Sequence, residues 1–355
     1  MNWLLIFVPI TIAVRYLRPA SETLIFILAC VAIIPLAGWL GRATEHLANR
    51  TGEGIGGLLN ATFGNAAELI IALAALKAGI YEMVKASLTG SIIGNILLVL
   101  GASVLAGGVR YKKQEFNAVA ARAQSTMLTL AAIALMVPAA YHHLAGSAGR
   151  AKEDDLSLEI SLILLSTYAL SLLFSLHTHK QLFTGNSAEG HGAAHNSDDV
   201  WSVTKSVAVL GVATVFIAWI SEILVGSVES AAHAFGMTRV FVGVIVVAII
   251  GNAAEHSSAV IAAWRNRMDL ALGVAIGSSV QVALFVAPVL VLASYFIGPK
   301  HLNLVFTPAE VMAIGAAVII TEQIASDGES NWLEGVQLLA VYAVLGLVFY
   351  FLPGE

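Results

Sequence analysis

Long apolar runs fill this chain, and two of them carry the same pentapeptide. Gly-Asn-Ala-Ala-Glu occurs at 64–68 and again at 251–255. A helix of about 20 apolar residues spans the roughly 30 Å of a bilayer's hydrocarbon core, and many of the runs reach that length. The chain is 58% hydrophobic and 12% charged, against about 25% charged in soluble domains. Its mean hydropathy is +0.84. Strict two-residue alternation is absent, which argues against a transmembrane barrel. The expected fold class is an all-α polytopic membrane protein.

Eleven apolar segments can be traced, at 3–17, 21–50, 54–78, 80–108, 116–141, 155–180, 201–235, 238–264, 268–297, 303–325 and 330–352. The first run ends at Arg15, Arg18 and Pro19 without a cleavage site. Residues 1–20 are therefore read as a retained transmembrane helix, not a signal peptide. The stretch 181–200, rich in Gly, Ser, Asn, His and Asp, reads as a flexible linker. The motifs align the two sides of it. Ser91 follows Glu68 by 23 residues, and Ser278 follows Glu255 by 23. Glu45 and Glu222 precede the two motifs, each towards the end of the preceding helix. Residues 21–180 and 201–355 are thus read as two five-helix repeats. An odd number of spans makes consecutive units enter the membrane from opposite sides, which is an inverted repeat. Lys and Arg fall in slight excess on the side of the N-terminus, among them Arg42, Arg50, Arg110, Lys112 and Lys113. That bias places the N-terminus and central linker in the cytosol.

Glu68 and Glu255 carry the chemistry. A charged residue at the centre of a membrane helix costs roughly 2.5–3.5 kcal/mol or more, so its default reading is functional. Asn65 lies one helical turn before Glu68, and Asn252 one turn before Glu255, so each pair shares a face. The four side chains offer oxygen only, a donor set suited to a hard cation such as calcium, which takes six to eight oxygens. Without a cysteine or histidine cluster beside the acids, the set does not suit a soft metal. Two facing carboxylates in a low-dielectric site cannot both ionise cheaply. They are satisfied either by a divalent cation or by protons. Burying the empty dianionic site during a conformational change is too costly, and this constraint alone produces exchange in place of leak. Glu45 and Glu222 are candidate outer relays. Ser91, Asn95, Ser278 and Gln281 are polar residues in apolar helices, placed to line the path or hydrogen-bond the acids, although such residues also glue membrane helices together. His256 falls on a different helix face and reads as a packing residue.

Other classes lack support. The net charge of −5 is spread over loops and forms no basic stripe for nucleic acid. The single cysteine, Cys30, cannot form an internal disulfide. The glycine-rich 52–57 follows no strand, lacks a Lys-Ser/Thr pair and leads into a membrane helix, so it is no nucleotide loop. His177, His179, His191 and His195 match no standard metal spacing. No nucleophile or zinc motif supports an intramembrane enzyme. No cofactor is implied, and the only partners implied are the transported ions and the lipid bilayer. The oligomeric state is open.

The chain resembles the cation/proton exchanger family, the calcium/proton antiporters within the calcium/cation antiporter superfamily. The resemblance is carried by Arg50-Thr51-Gly52, by 56–70 with its Gly-Gly-Leu-Leu-Asn-Ala-Thr-Phe-Gly-Asn-Ala-Ala-Glu-Leu-Ile, by 251–256 and by 277–281. It implies eleven helices, the first outside the repeats, with a cation site at the membrane centre on the third and eighth. By position, Glu68 and Glu255 would bind calcium and protons in turn, Asn65 and Asn252 would assist, and Gln281 would lie nearby. Where related sodium/calcium exchangers have Ser and Pro before the acid, this chain has Asn-Ala-Ala, which favours protons as counter-ion. Many relatives carry an acidic segment between the repeats; here 181–200 is His- and Gly-rich with only Glu189, Asp198 and Asp199. The alternatives are a broader divalent (Mn2+) exchanger, a sodium-coupled one, or a cation channel. The membrane would be the inner membrane of a prokaryotic cell or an organelle membrane. Glu45→Gln is expected to slow exchange in reconstituted vesicles without eliminating it; complete loss with calcium binding intact would instead make Glu45 an essential proton carrier.

Overall fold

The computed structural model describes residues 2–51, 53–179 and 201–352. The expected linker at 181–200, with His191 and His195, lies outside the described residues, as does Gly52.

Helix boundaries follow local chemistry. α1 (Asn2–Leu17) stops just before Arg18-Pro19, since proline disfavours helical backbone in the residue before it. α2 (Glu22–Thr51) follows. α3 (Glu53–Phe63) and α4 (Ala66–Lys77) are separated by a break at Gly64 and Asn65. α5 (Tyr81–Arg110) returns across the bundle. α6 (Ala118–Leu144) begins at Asn117, whose side chain accepts from the amides of Val119 and Ala120 at 3.0 and 3.1 Å. Such a cap satisfies amides that the first helical turn leaves unpaired. α7 (Glu153–Thr178) ends the first half. α8 (Val203–Phe235) starts at a Ser202 cap and ends at Gly236, whose φ of +62° suits glycine. α9 (Arg239–Gly251) and α10 (Ala253–Trp264) break at Asn252, with a bend of 62°. α11 (Met268–Ser294), α12 (Pro308–Ile324) and α13 (Trp332–Phe351) complete the chain. Reciprocal capping boxes, Thr307 with Glu310 and Asn331 with Glu334, open the last two.

The protein is an all-helical membrane protein. Among the described residues, seven helices are long and apolar enough to cross a membrane, and the bent α9–α10 pair makes an eighth. Helix also occupies the remaining expected segments, as α1, the broken α3–α4 and the 17-residue α12.

Burial places α5 and α11 at the centre. Each buries 72% of its most apolar stretch, against 22% for α7 and α13. α2 and α8 run antiparallel along each other. Arg50 Nε, at the end of α2, donates to Trp201 O at 3.2 Å, and Ser230, near the end of α8, hydrogen-bonds Glu22 at the start of α2. This pair touches both broken helices, α8 along α4 and α2 along α9 and α10. At the end where α5 finishes, Gln114 Nε2 donates to Ala263 O (2.8 Å) and Asn266 Oδ1 (3.0 Å). A short antiparallel pair, Gln114–Glu115 with Glu329–Ser330, closes the same end. Glu329 beside Lys113 holds that exposed ammonium above the usual lysine range.

Glycine allows the central helices to touch. A Cβ on Gly90 of α5 would collide with the carbonyl of Val244 on α9. Gly90→Ala is therefore expected to lose about 1–3 kcal/mol through overpacking. Gly211→Ala on α8, where nothing lies within 4 Å, is expected to be neutral or to gain about 0.5–1 kcal/mol from helix propensity. Denaturation of the purified protein measures both, and equal effects would dismiss the close contact as the cause.

Candidate functional site

The two repeated motifs fold alike. Each Asn sits in the break of a helix, Asn65 before α4 and Asn252 before α10. Each Glu then falls in the first turn of the half-helix that follows. The positive end of a helix dipole lies there, which offsets part of the cost of a buried carboxylate. Broken membrane helices that aim half-helix termini at a central site are a recurrent way to build an ion site.

The long central helices hold the broken ones, and they do so across the two halves. Asn65 Nδ2 donates to Gln281 Oε1 of α11 at 2.6 Å. Ser278 Oγ, also on α11, lies 2.8 Å from Asn65 Oδ1 and 2.7 Å from Glu255 Oε2. On the other side, Asn252 Nδ2 donates to Ser91 Oγ of α5 at 3.1 Å and to Ala248 O at 2.9 Å. Asn95 Nδ2 reaches Asn252 Oδ1 at 3.4 Å. Both asparagines are buried, each 1% exposed. Asn95 lies in a widened turn of α5, and Gln281 directly precedes one in α11. Widened turns of this kind occur often at functional sites.

Glu68 rests against the bare backbone of Gly251, where a Cβ would sit 3.3 Å from its Cγ. Ser87, Ser91, Val247 and Val282 line the same small cleft. The Oε2 atom of Glu68 is buried and makes no hydrogen bond among the described residues. A buried carboxylate oxygen without a partner calls for a proton or a cation. Glu68 thus packs on the glycine that ends α9, four residues before Glu255.

The Ser278 bridge has two proton orders. Its single hydroxyl hydrogen serves one acceptor at a time. If Glu255 is protonated, it donates to Ser278, which donates to Asn65 Oδ1. If Glu255 is ionised, Ser278 donates to the carboxylate, and the Asn65 and Gln281 amides turn together, so that Asn65 Nδ2 donates to Ser278 and Gln281 Nε2 donates to Asn65 Oδ1. The site thus accommodates both states of the acid through amide turns, with the helices in place. Its donors are carboxylate, amide and hydroxyl oxygens. No group of three or more His, Cys, Asp or Glu gathers among the described residues. This is hard-cation chemistry.

The structure gathers Glu68, Glu255, Asn65, Asn252, Ser91, Asn95, Ser278 and Gln281 into this region. Glu45 and Glu222 stand apart from it. Glu45 is exposed on α2. Glu222 pairs with Lys77, at the end of α4, at 2.8 Å, and both are more than half exposed. It is not near its helix end, because α8 runs on to Phe235. Ser279 ties α11 to the Ile92 carbonyl of α5 at 3.2 Å. A second polar cluster lies outside the repeated motifs. Lys85 Nζ donates to Asn303 Oδ1 (2.6 Å) and Val305 O (2.7 Å). Buried Glu310 accepts from Thr307 and Thr89. Both ionisable residues lie inside apolar runs, so the rule that flags Glu68 would have flagged them.

A helical bundle with a central oxygen-lined site on two broken helices is the architecture of an ion-translocating membrane protein. The sequence profile described as sodium/calcium exchanger protein matches this chain twice, over residues 21–177 and 205–351. The chain belongs to that family. It is 46% identical to a Ca2+/H+ antiporter of Aphanothece halophytica, over 99% of this chain and 96% of that one. The solved structure of native YfkE, 43% identical, superposes with a TM-score of 0.83 over 97% of both chains. The H+/Ca2+ exchanger CAX, at 18% identity, shares the fold with a TM-score of 0.67, over 98% of this chain and 91% of that one.

Ser278→Ala removes the hydroxyl between Asn65 and Glu255. Loss of a hydrogen bond to a charged group corresponds to about 1.5–3 kcal/mol, or roughly ten- to a hundredfold in affinity. Divalent-cation binding to the purified protein is expected to weaken on that scale with thermal stability nearly unchanged. Parental affinity in the variant would remove Ser278 from the site.

Proposed function

We propose that this chain is a secondary active antiporter that exchanges Ca2+ for H+ across a membrane by alternating access, lowering cytosolic calcium. The observation that carries the reading is the pair of first-turn glutamates, Glu68 and Glu255, in one region whose donors are all oxygens. Two carboxylates match the charge of one divalent cation. With the cation gone, protons are the smallest species that can take its place. The unpartnered Oε2 of Glu68 and the two proton orders at Ser278 support that alternation. The names of the relatives, Ca2+/H+ antiporters among them, point the same way.

In this reading Glu68 and Glu255 bind the ions, and Asn65 and Asn252 contribute amide oxygens. Ser91, Asn95, Ser278 and Gln281 orient those amides. Glu45 and Glu222 serve as outer relays, with Lys77 restraining Glu222. The chain crosses the membrane eleven times. Residues 1–20 form an extra span, and 21–180 and 201–355 form two inverted five-helix repeats joined at 181–200. The two-fold match of one family profile and the alike folding of the two motifs support this division. The N-terminus and the linker face the cytosol.

The test is calcium uptake into proteoliposomes with an imposed proton gradient, reading internal pH at the same time. Calcium is expected to accumulate against its own gradient while the pH gradient dissipates. Glu68→Gln and Glu255→Gln are each expected to abolish both signals while the protein still inserts. Downhill calcium flux that ignores protons would overturn the reading in favour of a channel or another counter-ion, sodium first. Robust exchange by either variant would remove the glutamates from the mechanism.

A further inference from the structure

A second groove, separate from the cleft at Glu68, runs between α2, α8 and α9, and its lining is wholly apolar. Phe26, Cys30 and Ile34 form one wall, Phe235 closes one end, and Val246 and Ile250 form the other wall. We propose that this groove holds the acyl chain of a bound phospholipid.

The lining selects the chemistry. These helices cross a membrane, so the medium that meets the groove is lipid hydrocarbon and not water. Phe26 and Cys30 at the groove are only 5% and 8% exposed. A single hydrocarbon chain is thin enough to reach residues so recessed. A partner helix, about 10–12 Å across with its side chains, would reach them only with a side-chain tip and would rest on the exposed Ile27 and Phe235 at the rim. The length also fits. From Phe26 to Ile34 on α2, and from Val242 to Ile250 on α9, the rise is about 12 Å, close to the apolar depth of one leaflet, about half of a 30 Å core.

The mouth supplies a head-group site. The groove ends at Phe235 and Met237, and Arg239 opens α9 two residues further on. One Arg239 nitrogen meets Glu229, and the side chain is 45% exposed. A guanidinium has five N–H donors, so it keeps donors for a phosphate oxygen. Arginine suits that planar, charge-assisted contact. Charge at the mouth and hydrocarbon in the groove together describe a phospholipid, not a free alkane. At the inner end, Ile250 immediately precedes Gly251, which backs Glu68. The acyl chain therefore touches the α2–α8 pair on one side and the hinge of the broken helix on the other.

The test counts phospholipid on the full-length purified protein by extraction and mass spectrometry after an extended detergent wash. The parent is expected to keep one phospholipid per chain. Ile34→Trp and Val246→Phe, which fill the groove, are each expected to lose it. Ile163→Trp, on an exposed face of α7, is expected to keep it, and Arg239→Gln to lose phospholipid more readily in the wash. Cys30, the only cysteine of the chain, gives an independent readout. Its reaction with N-ethylmaleimide should quicken when the parent is stripped of lipid and slow when phospholipid is restored. A washed parent without lipid would overturn the proposal. So would retention by both filling variants, equal loss in Ile163→Trp, or a groove substitution that splits a dimer while releasing no lipid. A retained fatty acid or detergent chain in place of phospholipid would overturn the head-group assignment.

Discussion

A carboxylate cannot stay ionised and alone inside a low-dielectric bundle, and much of this structure answers that constraint. Glu68 and Glu255 are half-buried, with Oε2 of Glu68 fully enclosed; a site wholly open to water would not discriminate between its occupants. Once buried, each needs a counter-charge or a proton. The chain lowers the penalty in ways that leave the site usable. It puts each acid at a helix N-terminus, where the backbone dipole is favourable. It surrounds them with hydroxyls and amides that bond equally well to an acid or to its conjugate base. Among the described residues no lysine or arginine joins the cluster; a fixed cation there would neutralise the pair permanently and leave nothing for a mobile ion to do.

The asparagines explain how the site survives on broken helices. A helix break exposes unpaired backbone groups, which membrane interiors tolerate only where protein or trapped water covers them. Asn65 and Asn252 sit in the two breaks and reach across to the unbroken helices. α11 of the second half holds Asn65, and α5 of the first half holds Asn252. Each half thus completes the other. Neither half would present a finished set of oxygens alone, because the residues that orient its amide lie on the far side of the linker. This interlocking also accounts for the burial of α5 and α11, since both must pass directly beside the breaks.

The motif and its spacing made the acids legible. Two carboxylates in matched apolar contexts, followed by a serine 23 residues on, could hardly be placed otherwise than together. The helical segments were legible for the same reason: an apolar run of membrane length leaves the backbone few options. The pairings were not legible. Whether Gln281 meets Asn65 or Asn252 depends on the rotation of α11 about its axis, which widened turns alter and periodicity does not report. Glu222 was read by analogy with Glu45. Its partner Lys77 comes from a different helix, a contact that follows from how α8 lies along α4. Lys85 and Glu310 each occur once, so no repeated motif marks them. The linker histidines at 191 and 195 lie outside the described residues.

Charge balance and packing then impose one shared condition on movement. The α2–α8 pair lies against both broken helices, so it cannot shift without changing the surroundings of the two glutamates. With the acids unpaired, such a shift would draw apolar helix surface over net negative charge, at several kcal/mol or more. With a divalent cation, or with protons on the acids, that electrostatic penalty falls away and ordinary packing decides. Close helix contact at Gly90 and Gly243 keeps α5 and α9 together. Coupling between the ions therefore needs no separate sensor. On the proposed reading, it resides in the same oxygens that would bind them.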